Sequence, residues 1–363
     1  MTLAGTMDFT SDNAVGAAPE IIAAIAAANA DPAPSYGADP WSLAAIEALR
    51  GLFECPQMAV FFVATGSAAN ALALAALTPP HGAVLCHEAS HIQTDECGAP
   101  EFFTHGAKLI PLAGDGAKLD PDTVDRALTF LPRGVVHHVQ AHALSLTQAS
   151  ECGTVYTPTE VSALARVAKA AGLRVHMDGA RFANALVGLD CAPADLTWRA
   201  GVDVLSLGAT KNGALAAEAV LFFDPDLACQ TNFARKRSGH LLSKGRFLGA
   251  QWQAYLADGL WLDLAAKANA RAKALSQGLA AVPGVTLAYP TQANEVFAVF
   301  PDGFAQPLLD AGARFYPWVV PGDPAGGRMV RLVTSFATEA DAVDRFLDLA
   351  RSVSRQSSGA ARS

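Results

Sequence analysis

Between residues 58 and 225, short apolar runs alternate with Ala-rich stretches of helical period. A segment written this way has few options: an α/β domain whose mostly parallel sheet is covered by helices. Met58–Val63 reads as a buried strand, Thr65-Gly66-Ser67 opens a helix over Ala68–Leu77, and Pro79-Pro80 closes it. Thr157-Pro158-Thr159-Glu160 is a capping box with proline at the first helical position. The helix it starts carries Val161, Leu164 and Ala168 on one face and stops at Gly172. Strand Leu173–Met177 follows and delivers Asp178 to its end. A second strand, Val202–Leu207, delivers Gly208-Ala209-Thr210-Lys211. Ligands of open α/β sheets sit at such C-terminal strand ends.

With 363 residues, the chain is too long for one ordinary core. Beyond about residue 250 the pattern changes to a helical stretch (Gln251–Ala281), strands at Val285–Leu287, Glu295–Phe300 and Met329–Val333, and a final helix capped by Thr338. The expected organisation is an N-terminal arm over 1–40 that contributes to the site, a large α/β domain over 41–250, a small α+β domain over 251–354, and a disordered tail over 355–363.

The chemistry concentrates at the strand ends. Pyridoxal phosphate needs backbone N–H groups for its phosphate, a lysine for its aldehyde, a carboxylate for its pyridinium nitrogen and a ring over one face. Each has a candidate. Gly66, Ser67 and Ala68 lie on a strand-to-helix turn, a weak signal alone. His176-Met177-Asp178-Gly179-Ala180-Arg181 is more specific, because a carboxylate at a strand end with glycine and arginine after it has little structural purpose. Lys211 would be read as a surface lysine in most settings. Here a buried-type strand feeds it and Asp178 lies on a neighbouring strand, so it is expected to hold the cofactor as a Schiff base. His176 shares the Asp178 face of its strand and reads as a satisfied core histidine.

Over nearly its whole length the chain resembles the threonine aldolases of the β-eliminating lyase group. The likeness rests on Ser11-Asp12-Asn13, Ser35-Tyr36-Gly37, Thr65-Gly66-Ser67-Ala68-Ala69-Asn70, His91 five residues before Glu96, Asp178 with Arg181, Lys211, and Arg331-Leu332-Val333-Thr334. It implies an aspartate-aminotransferase-like large domain of fold type I and aldol cleavage of an L-β-hydroxy-α-amino acid to glycine and an aldehyde. It further implies that His91 stacks on the cofactor ring, that Asp178 partners the pyridinium, and that Arg181 and Arg331 grip the substrate carboxylate, with Ser11, Asn13 and Tyr36 also at the substrate. Arg237 and Lys244 are expected to reach the cofactor phosphate from a partner subunit, in a homodimer or a homotetramer built as a dimer of dimers. Family members often carry a second histidine where this chain has Ser150 or Glu151, so His91, directly or through water, is the expected base. The alternatives are a β-eliminating lyase or phenylserine-type aldolase for bulky aromatic substrates and, outside enzymes, a non-catalytic cofactor-binding paralogue.

Composition narrows the partners. A net charge of −8 disfavours nucleic acid and anionic membranes, and no apolar run is long enough to span a bilayer. The six cysteines form no CxxC pair and the nine histidines no metal spacing, so no metal site is expected. Reduced thiols and the lack of a signal-peptide pattern suggest a cytoplasmic protein.

Overall fold

The structure is a computed structural model and describes residues 6–319 and 328–360. The larger body is built on β1 (Ala59–Val63), β2 (Gly82–His87), β3 (Lys108–Leu112), β4 (Gln140–Thr147), β5 (Arg174–Gly179), β6 (Val204–Gly208) and β7 (Glu218–Phe222). In space they run β1-β7-β6-β5-β4-β2-β3, and only β7 opposes the common direction. All residues of β2, β6 and β7 are buried, as expected when helices cover both faces of a sheet. Side chains alternate between two cores: Leu85, Leu144, Leu205 and Leu221 face one, and Val84, Ala143, Val204 and Val220 the other.

The helix Gly66–Leu77 belongs to the second core and is buried nearly all round, which explains its alanine-rich, weakly amphipathic sequence. Thr65 caps it by accepting the Ala68 N–H at 3.2 Å. The capping box at Thr157 forms as expected, with Thr157 N–H donating to Glu160 at 2.7 Å and Glu160 N–H donating to the Thr157 hydroxyl at 3.2 Å.

The smaller body holds an antiparallel sheet of β8 (Thr286–Leu287), β9 (Glu295–Val299), β10 (Tyr316–Pro317) and β11 (Met329–Val333), ordered β10-β11-β9-β8. Its core gathers Phe300, Phe304, Phe315 and Phe346. The change of body comes later than residue 250. The helix Arg246–Leu256 buries Trp252 and Tyr255 in the larger core. The following helix, Leu260–Ala280, contributes Trp261, Leu264 and Ala265 to that core and Ala272, Leu275 and Leu279 to the smaller one. At about 1.5 Å per residue a helix of this length reaches both cores, so composition does not shift at the boundary.

The N-terminal arm also serves both bodies. Phe9 pairs with the smaller sheet through Phe9 N–H to Arg314 O and Val333 N–H to Phe9 O, both 2.8 Å. The helix Pro19–Ala28 buries Ile21 in the larger core. At the other end the last helix runs from Ala340 to Ala360, past residue 355 where a tail was expected. Once nucleated, a helix extends at little cost, and Ser, Gln and Arg do not stop it. Residues 361–363 of that expected tail lie outside the described residues.

Candidate active site

Because β1, β2, β4, β5 and β6 share one direction, their C-terminal ends meet at one edge of the sheet, where a cavity of ≈ 730 Å³ opens. Ser11, Asn13, Gly66, Ser67, His91, Asp178, Arg181, Lys211 and Arg331, all singled out from sequence, line it.

On one wall stands the N-terminus of the helix Gly66–Leu77. The Ala68 N–H is taken by the Thr65 hydroxyl and the Ala69 N–H by the Thr65 carbonyl. The N–H groups of Gly66 and Ser67 have no carbonyl of their own helix to reach and suit an anion. Ala68 itself is buried behind this turn and does not line the cavity.

Asp178, next to last in β5, has both oxygens engaged. Oδ1 accepts from Ala180 N–H at 3.0 Å and Oδ2 from the Asn70 amide at 2.8 Å. The same amide nitrogen donates to Glu96 Oε1 at 2.8 Å, and that oxygen also meets His91 Nδ1 at 2.8 Å. A continuous polar chain therefore runs from the His91 ring through Glu96 and Asn70 to Asp178. The hydrogen bond to Glu96 raises the His91 pKa against the opposing effect of burial. Beside Asp178, the Ser206 hydroxyl on β6 hydrogen-bonds with His176 Nε2 at 3.0 Å, while His176 Nδ1 pairs with Ser145 at 2.9 Å. Burial lowers the His176 pKa to about 4, so it sits as a neutral, satisfied core group.

The two arginines stand together on the wall formed with the smaller body. Arg181 donates Nε and Nη2 to Asp12 at 2.8 and 3.1 Å, and its Nη1 lies 3.3 Å from Glu295. Burial works against the Arg181 charge, but Asp12 and Glu295 more than offset it and its pKa is raised. Arg331 lies 4.0 Å from Glu295 and stacks 4.0 Å over the Trp318 ring. Its Nε is buried with no hydrogen-bond partner among the described residues, a donor still to be satisfied. Burial raises the Glu295 pKa even between these cations.

This donor set fits pyridoxal phosphate: two unclaimed amides at a helix N-terminus, an anchored carboxylate, an imidazole, an amine, and a buried arginine donor without a partner. The structure does not bring Tyr36, Arg237 and Lys244 to the same cavity. They gather elsewhere: Tyr36 N–H donates to Ser243 O at 2.9 Å, Lys236 lies 4.8 Å over the Tyr36 ring, and Arg237 and Lys244 are exposed.

Several groups at the site were not singled out from sequence. Asp12 sits inside a motif that was noticed, yet its pairing with Arg181 could not be read. Asn70 lies three residues after Ser67, hence on the same face of its helix, which is a readable signal. Glu295 lies diagonally across from Arg331, whose direct partner is Phe297, so a correct strand pairing would have found it. Glu218, at the start of β7, also lines the cavity, and burial raises its pKa to about 7 against the lowering effect of Thr210.

Residues 8–301 match the family model described as beta-eliminating lyase. A low specificity L-threonine aldolase of Pseudomonas aeruginosa is 44% identical over 349 residues, 96% of this chain and 97% of that protein. Among solved structures, a Leishmania major threonine aldolase superposes with a TM-score of 0.89 at 29% identity, covering 96% of this chain and 99% of that one. A Sphingomonas wittichii serine palmitoyltransferase superposes at 0.73 with 16% identity, covering 97% and 88%, a likeness of fold alone.

Proposed function

The chain belongs to the β-eliminating lyase family, and on that premise we infer that it is a carbon–carbon lyase of the threonine aldolase type. It cleaves an L-β-hydroxy-α-amino acid into glycine and an aldehyde, with pyridoxal phosphate as cofactor. The observation that carries this reading is the meeting of Lys211, Asp178, His91 and the Gly66–Ser67 helix terminus around one cavity, with Arg181 and Arg331 on its wall.

Bound there, pyridoxal phosphate supplies an electron sink for the pair released when the Cα–Cβ bond breaks. Lys211 would be the amine that holds it, the Gly66 and Ser67 N–H groups would donate to its phosphate, and Asp178 would keep a proton on its ring nitrogen. The Asn70 and Ala180 donors hold the Asp178 carboxylate in a fixed orientation. His91, held by Glu96, would cover one face of the cofactor ring. Arg181 and Arg331 receive the substrate carboxylate, a task suited to the planar guanidinium fork. Asp12 fixes the plane of the first and Trp318 the second, so that the bond to be broken is aligned before reaction. Ser11 and Asn13 complete the substrate side.

The active site is shared between subunits of a homodimer, or of a tetramer built from two. Tyr36, Arg237 and Lys244 are all exposed, Tyr36 to 49%, and Phe233 on the helix Thr231–Arg237 is exposed to 73%. That surface gains from a partner, and a partner's cavity gains basic groups for its phosphate. The cysteines are unpaired and no described helix is long and apolar enough to cross a membrane, which supports a cytoplasmic location.

The assay is direct. Purified protein with L-threonine, L-allo-threonine and L-phenylserine should release glycine and the matching aldehyde. Pyruvate in place of glycine would favour β-elimination, and no turnover of any of the three would defeat the reading.

A further inference from the structure

We propose that Glu151, on the loop after β4, is the base that takes the proton from the substrate's β-hydroxyl. The inference rests on the aldolase reading and identifies the proton acceptor it requires. Glu151 lines the cavity with His91, Thr147 and Asp178. Its Oε1 accepts the His91 backbone N–H at 2.8 Å, which fixes the carboxyl at the start of the short helix His91–Thr94. Its Oε2 is buried and makes no hydrogen bond of ordinary geometry among the described residues, although the Thr147 hydroxyl is near enough to temper its pKa. A buried carboxylate oxygen without a donor suits an incoming hydroxyl.

The neighbouring candidates are less suited. Ser150 turns away from the cavity and donates to Gly116 O at 2.9 Å. His91 has Nδ1 committed to Glu96, and its ring is the one assigned to cover the cofactor, which leaves only Nε2 at the ring's edge to reach a substrate hydroxyl. The charged and titratable groups coupled to Glu151 are Asp178 and Arg181, with the Cys86 and Cys152 thiols and the Tyr156 phenol, while His91 acts on it through its backbone N–H. Burial is the largest influence and raises the Glu151 pKa to about 7 against the His91 N–H bond. A carboxylate in that range is a stronger base than an ordinary one, and about half of it is ionised at neutral pH.

The step balances. The β-hydroxyl O–H breaks and its proton joins Oε2. The oxygen pair forms the aldehyde C=O, and the Cα–Cβ pair remains on the carbon that becomes glycine. That carbon takes up a proton before glycine leaves, and Glu151 returns its own to water, so no proton is gained or lost overall.

Glycine offers a control, because exchange of its Cα hydrogen in D₂O needs the cofactor and Lys211 but no β-hydroxyl base. Glu151→Gln should lose roughly 10²- to 10⁴-fold in kcat/KM for phenylserine cleavage, while keeping the bound-cofactor absorbance and the glycine exchange rate within about threefold of the parent. In the parent, kcat/KM should rise with pH through about 7 and then level, because only the ionised carboxyl accepts a proton. Glu151→Asp should retain a rising limb and Glu151→Gln should lose it. Near-parental cleavage by the glutamine variant, persistence of its rising limb, or an equal fall in cleavage and exchange would each overturn the assignment. A parent enzyme that exchanges glycine but releases no aldehyde would instead defeat the aldolase reading itself.

Discussion

At Asp178 the surroundings decide what a carboxylate can do. Two donors, the Asn70 amide and the Ala180 N–H, hold it without supplying a full positive charge. That leaves its charge available for a cationic ring nitrogen, which is the role proposed for it. An amide there would keep much of the shape and lose the charge. Asp178→Asn should therefore still bind cofactor, as read from visible absorbance, while kcat falls roughly 10²- to 10³-fold, the scale of losing one well-placed electrostatic partner. A variant turning over at near-parental rate would remove Asp178 from this role.

At the scale of elements, close helix packing underlies the site. The helix Arg246–Leu256 lies against the helix Pro40–Leu52, whose N-cap Asp39 accepts the Ser42 N–H at 2.8 Å. Gly249 allows that approach: a Cβ there would lie 2.4 Å from Ser42 N and 2.6 Å from Ser42 Cα. Both obstacles are atoms of a capped, buried first turn, so neither helix can yield locally. Gly249→Ala should lower unfolding stability in urea by about 1–3 kcal/mol, the usual cost of overpacking. The gain in helix propensity of about 1 kcal/mol offsets only part of it. A stabilised alanine variant would mean that the two helices separate readily.

For the molecule as a whole, the notable fact is which predicted residues stay outside the cavity. Tyr36 lies about 200 residues before the stretch that holds Arg237 and Lys244, yet it meets that stretch through Tyr36 N–H to Ser243 O and the Lys236 ammonium over its ring. A cluster with that much built structure, away from its own cavity, fits service to a second subunit. Lys211→Ala and Arg237→Ala, each impaired alone, should partly complement after mixing and reassociation, because one site per hybrid dimer regains both groups. Recovery to about a quarter of parental activity is the statistical expectation for freely mixed dimers. Sedimentation of a fully active monomer at assay concentration would exclude the arrangement.

What could be read from the sequence was what is local. Periodicity and caps marked the strands and helices that carry Asp178 and Lys211, and strand ends of one direction necessarily meet at one edge of a sheet. The cofactor chemistry followed, because the residue types at those ends are few and specific. Contacts between distant segments were not legible. Asp12 and Asn294, 282 residues apart, share a hydrogen bond of 3.1 Å, and Glu295 meets Arg331 through the β9–β11 register and Arg181 through the packing of the two bodies. Side-chain direction was equally hidden: Ser150 and Glu151 are adjacent, yet one turns to Gly116 and the other lines the cavity. The sequence by itself determined the layers and the placing of Asp178 and Lys211 near the ends of successive strands. Only the tertiary structure decided the partners of each charge, because burial and register, which set them, are properties of segments brought together by the whole fold.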